Sequence, residues 1–118
     1  MIKIHQIQLT EAQIDIINAD GHDAVPAQSA KLAVSFFGAD KFKAENFAFY
    51  TEAFQVHTDD KNLAFEYTNL WNNQYFVEAF GDRNHSTSVG DIFEMDNGDF
   101  YMVANFGFEK LNMMQQAA

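Results

Sequence analysis

Four histidines, His5, His22, His57 and His85, are the side chains best suited to moving a proton near neutral pH or to holding a metal. No two of them stand at helical or zinc-finger spacing, so they supply no ready pair of ligands. His22 beside Asp23, and Asp82 with His85, each make half of a metal or acid–base site that needs partners from elsewhere in the chain, and plain surface loops are the expected reading. Asp96-Asn97-Gly98-Asp99 has the composition of a calcium loop but lacks the alternating ligands and distant Glu of an EF-hand. Ser86 and Ser88 have no nucleophile-elbow glycines around them, and Gly90 and Gly107 do not build a phosphate loop with a Lys. The residues therefore spell no reaction, and no catalytic residue, metal or cofactor is expected. A small ligand- or metal-binding domain or enzyme with a site near His85 and Asp91 stands as an alternative.

Charge carries more information than any motif. The 118 residues hold 17 acidic against 7 basic side chains, a net charge of -10. A protein that binds nucleic acid directly shows the opposite balance, because Lys and Arg supply most of that affinity by neutralising phosphates. The acidity either keeps the chain soluble or presents a phosphate-like surface to a basic partner. The carboxylates expected to form such a surface are Asp59, Asp60, Glu66, Asp82, Glu94, Asp96 and Asp99. Thirteen Phe, four Tyr and one Trp are more than an acidic disordered chain carries, so the chain is expected to fold. Most of these rings belong to a core; Phe65, Phe106 and Phe108 are those expected to be partly exposed, with Phe65, Tyr101 and Phe108 as aromatic contacts for a partner.

These side chains need elements to position them. The length fits one domain, residues 1–118, with enough chain to bury a core, and the lack of cysteine excludes disulfides. No leader pattern and no long apolar run is read, so a soluble cytoplasmic protein is expected. Residues 2–9 read as a strand in which Ile2 and Ile4 have one parity and Ile7 and Leu9 the other, implying a bulge near His5-Gln6 or cover on both faces. Thr10 to Gln13 is a capping box, with Leu9 and Ile14 as its hydrophobic staple, and Ile14 and Ile17 are the expected buried stripe of a helix ending at Asp20-Gly21. A loop over His22–Gln28 carries Pro26. A second helix is expected over 29–37, burying Ala30, Ala33, Val34 and Phe37, and Gly38 stops it. Asp40 caps a short third helix that buries Phe42 and Phe47. The strand 50–57 places Tyr50, Phe54 and Val56 on one face.

Thr58-Asp59-Asp60 is an acidic start for a helix over 61–71 whose stripe is Leu63, Tyr67, Leu70 and Trp71, with Phe65 opposite. Asn72-Asn73 ends it, and Tyr75–Phe80 reads as a strand. Asn97-Gly98 between apolar runs is the strongest local hairpin signal. A two-residue loop there sets Met95 opposite Phe100, Phe93 opposite Met102 and Asp96 opposite Asp99, with the first four on a core face. Residues 111–118 read as a frayed tail. The expected architecture is α+β: a small, mostly antiparallel sheet with a C-terminal β-hairpin and three to four helices packed on one face.

Ser86-Thr87-Ser88-Val89-Gly90-Asp91-Ile92, then Tyr101-Met102-Val103, then Phe106-Gly107-Phe108, resembles the C-terminal signature of small proteins encoded by phages, plasmids and conjugative elements, including YodL-like domains. The stretch Thr58 to Asn69 is similar to those proteins too, so the resemblance spans roughly residues 50–110. It implies a mobile genetic element as the setting. It implies no activity, since those proteins have no established common one. The motif positions also have local explanations: Gly90 permits the turn into a strand, Asp91 can bond back to nearby amides, and Gly107 permits a bulge or close backbone approach. The expected function is a non-catalytic acidic interaction protein, in its sharpest form an anti-CRISPR or anti-restriction inhibitor that mimics DNA. Its partner would be a basic protein surface on a nucleic-acid-binding defence complex, with no membrane and no direct nucleic-acid binding. A homo-oligomeric accessory protein, such as a homodimer joined by a strand edge, is the remaining alternative.

Overall fold

The structure is a computed structural model that describes residues 1–70, 74–81 and 83–113. Trp71, Asn72, Asn73 and Asp82 lie outside the described residues, as do 114–118 of the expected tail. The fold is α+β. Six strands, β1 (Ile2–Ile7), β2 (Tyr50–Val56), β3 (Val77–Ala79), β4 (Ile92–Glu94), β5 (Phe100–Val103) and β6 (Phe108–Leu111), form one sheet in the order β3-β2-β1-β4-β5-β6. Every pairing is antiparallel. Among the described residues three α-helices, α1 (Glu11–Asp20), α2 (Pro26–Phe37) and α3 (Lys61–Leu70), accompany it.

Helices cover both faces of the sheet rather than one. On the first face Ala64 of α3, with Phe65 and Tyr67, packs on Ile2, Ile4, Phe54, Val56, Phe93 and Val103. On the second, Val34 of α2 and Phe42 join Ile92, Met102 and Leu111. Ile7 belongs to a third cluster with Val25 and Ala27. Cover on both faces thus explains the parity change of β1. The register shift between Ile4 and His5 places the extra residue on β2: Ile4 pairs with Phe54 and His5 with Glu52, leaving Ala53 over. That bulge turns Tyr50 onto the face opposite Phe54 and Val56, so the three do not share a side.

Local chemistry accounts for most element ends. The capping box is formed: Gln13 N–H donates to Thr10 Oγ1 at 3.1 Å and Thr10 N–H to Gln13 Oε1 at 2.8 Å. The stripe expected for α1 is not buried, however. Ile14 is 41% exposed and no α1 residue is buried; of the helix only Ile17 packs against a core cluster. Pro26 opens α2 instead of sitting in a loop, since proline's fixed φ suits the first helical position. Phe37, expected inside, is exposed at the last residue of α2. The expected third helix is replaced by 3₁₀ turns at Gly38–Lys41 and Ala44–Phe49; Phe42, between them, is buried, but Phe47 is only half-buried. The strand expected over 75–80 is only Val77–Ala79, entered by a 3₁₀ turn.

Asp60 caps α3, accepting from Asn62 N–H at 2.9 Å and Leu63 N–H at 3.2 Å. The buried stripe of α3 is rotated from the expected one. Ala64 and Thr68 are buried and Phe65 packs on the core, whereas Leu63 and Leu70 face solvent. Two short side chains suit a helix laid against a sheet, and Thr68 is fixed on that side by its hydroxyl bond to Thr87.

The hairpin is present but its register differs by one residue. Ile92 pairs with Met102, Phe93 with Tyr101 and Glu94 with Phe100. Met95 C=O accepts from Gly98 N–H at 3.0 Å and Met95 N–H donates to Asp99 C=O at 2.9 Å, which makes a three-residue loop of Asp96, Asn97 and Gly98. Gly98 has φ +88°, the left-handed residue such a loop requires. The slip puts Phe93 and Met102 on opposite faces, each fully buried, and removes the facing Asp96–Asp99 pair. Leu111, expected in a frayed tail, ends β6 and is buried.

Candidate functional site

Because β3 and β4 are separated by β2 and β1, the chain between them must cross the end of the sheet. Side chains from the central strand and from α3 hold that crossing. Gln6 of β1, fully buried, grips His85 at two points: its Nε2 donates to His85 C=O at 2.8 Å and its Oε1 accepts from His85 N–H at 3.2 Å. The same Nε2 donates to Asp91 Oδ2 at 3.0 Å. Asp91 also accepts from Ser88 N–H at 3.0 Å, the local bond expected of it. Thr68 of α3 shares a buried hydroxyl–hydroxyl bond of 2.6 Å with Thr87, and Asn69 Nδ2 donates to Thr87 C=O. On the far side of the sheet, Tyr50 OH donates to Gly90 C=O at 2.7 Å.

Gly90 cannot be replaced freely. Its φ is +96°, and an added Cβ would stand 2.8 Å from Val34 Cγ2 on α2. The turn and the close approach both demand glycine.

The clamp brings His85 and Asp91 together, and Asp91 is the perturbed group in it. Burial pushes its carboxyl up to about 6, against the opposing pull of the Ser88 N–H, His85, Gln6 and Lys31. Burial, and then Asp91, raise the Tyr50 phenol as well. His85 Nδ1 lies 2.9 Å from Ser86 C=O, while its buried Nε2 has no hydrogen-bond partner. His22 meets Gln28 rather than Asp23, and His57 lies 3.2 Å from Glu78. Among the described residues no three His, Asp or Glu side chains are placed to hold a metal ion.

Beside the crossing runs a groove of about 510 Å³ between α3 and the C-terminal end of β5. Asn62 and Phe65 form one wall, Ser88 and Val89 the crossing side, and Val103, Asn105 and Phe108 the other wall. Phe65 and Phe108 are half-buried because they also pack on the core, as does Tyr101, over whose ring Lys61 Nζ stands at 4.2 Å. Phe106, by contrast, is 96% exposed. Phe36 and Phe37 are 72% and 66% exposed, which the helical reading of α2 missed. Both lie in the last two positions of α2, beyond Val34, its last buried residue.

The expected carboxylates do not form one surface. Asp59 and Asp96 meet at the hairpin tip, where the Met1 ammonium donates to Asp59 at 3.0 Å and to Asp96 at 2.6 Å. Those bonds, Asp96 first, raise the ammonium's pKa. Asp60 is adjacent as the α3 cap, and Asp99 joins from the other side of the turn, 3.5 Å from Lys110. Glu94 lies elsewhere, on the β4 face shared with His5, whose Nε2 is 2.9 Å away. Glu66 sits half-buried on α3.

The chain matches no family model, no curated protein and no solved structure. No helix among the described residues is long and apolar enough to cross a membrane.

Proposed function

We propose that this chain is a non-catalytic interaction protein that docks on a basic protein surface in the cytoplasm. The mobile-element setting comes from the motif resemblance. In its sharpest form the protein is an anti-defence inhibitor that takes the place of DNA in the groove of a restriction or CRISPR complex. One observation carries the reading: with a net charge of -10, Asp59, Asp60, Asp96 and Asp99 gather at one end of the sheet. The polar groups of the clamp point the same way. Gln6, Thr68, Thr87 and Asp91 are buried and bonded to one another or to backbone, so they hold a chain crossing rather than face a substrate.

Competition tests the proposal. A partner captured from a bacterial lysate is expected to be displaced from the immobilised chain by duplex DNA, because both ligands then occupy one basic groove. A partner that holds the chain and DNA at the same time would contradict the mimic form.

A further inference from the structure

Phe36, Phe37 and Phe106 ring a second depression of about 260 Å³, which shares Val89, Ala104 and Asn105 with the larger groove. The two form one bipartite surface, running from Asn62 and Phe65 on α3 to the end of α2. In a chain in which 20% of residues are charged, the groove is lined by no ionisable residue, and the second depression contributes one, Glu109. Three exposed Phe rings in water are unfavourable unless something covers them, and aromatic side chains are the usual anchors of protein interfaces. Two joined depressions suit an extended chain with side chains at separate positions better than a compact molecule.

Charge selects the occupant. A second copy brings another net charge of -10 to the same place, which opposes self-association. An acidic segment meets the same repulsion and finds only Glu109 on the walls. Lys41 Nζ already stands 6.0 Å from the Phe37 ring, so an incoming cation is left Glu109 and the almost fully exposed Phe106 ring. We infer that this surface docks an extended segment of a protein partner, with apolar side chains for the groove and at least one Arg or Lys for the Phe106–Glu109 end. The inference rests on the interaction reading above but assigns a different surface to it.

The test is an amide-resolved titration with short synthetic peptides that alternate leucine with arginine, serine or glutamate. The arginine peptide is expected to shift the amides of Val89 and residues 104–109, and Phe106→Ala is expected to weaken it about tenfold or more. Phe106 is almost fully exposed, so that variant keeps the fold. Shifts confined to Asp59, Asp60, Asp96 and Asp99 would overturn the groove assignment while leaving the acidic interaction reading intact. Equal binding of the glutamate peptide, or a concentration-dependent dimer abolished by Phe106→Ala, would also overturn it.

Discussion

Asp91 carries the heaviest local demand in the molecule: a carboxylate 5% exposed, bonded by its Oδ2 to a backbone amide and to Gln6. Its folded-state pKa, about 6 against an ordinary 3.8, means that the folded chain binds a proton more readily than the unfolded one. The stabilising contribution is therefore full below the ordinary carboxylate value and is lost as pH rises through about 6. Such a shift corresponds to roughly 3 kcal/mol. Asp91→Asn keeps an acceptor for both donors and removes the buried charge. We expect the variant to be the more stable at pH 7.5, with the gap closing toward pH 4.5, in denaturant unfolding of both proteins across that range. A gap independent of pH would show that Asp91 does not titrate there. The local half of this network was legible in sequence, since Asp91 three residues after Ser88 suits a bond back to its amide. Gln6 was not, because its grip on His85 joins residues 79 apart and nothing in the intervening chain signals it.

Among the elements, those set by local chemistry were read well and those set by packing less so. Thr10, Asp60 and Gly21 do at their helix ends what their residue types favour. The buried side of α3 depended instead on how closely the helix approaches the sheet, which hydrophobic spacing does not encode. Ala64→Leu is expected to cost about 1–3 kcal/mol by overpacking, whereas Leu70→Ala at an exposed position should change stability by less than about 0.5 kcal/mol. Thermal or urea unfolding of the two variants distinguishes the rotated stripe from the one drawn through Leu63 and Leu70, which would give the reverse order. The hairpin shows the same division. Asn97-Gly98 located the turn, but Asn97 Oδ1 accepts from Asp99 N–H at 2.9 Å and the loop takes three residues instead of two. One residue of slip was enough to send Met102 to the opposite core.

For the whole molecule, composition gave the class and topology gave the surfaces. Thirteen Phe pointed to a core, yet only the assembled sheet, with α3 on one face and α2 on the other, separates rings that are packed from Phe36, Phe37 and Phe106, which are not. The acidic residues expected to form one surface are brought near one another only in part. Asp59, Asp60, Asp96 and Asp99 converge at one end, Glu94 and Glu66 lie apart, and Asp82 is outside the described residues. Some of the tip charge is also answered within the chain, by the Met1 ammonium and Lys110. The central claim, that this end meets a basic partner, is tested most directly by the salt dependence of binding. Affinity for the captured partner should fall steeply between low and physiological salt, and Asp59→Asn with Asp96→Asn and Asp99→Asn should weaken binding and flatten that dependence. An affinity insensitive to salt, unchanged in the triple variant, would contradict it.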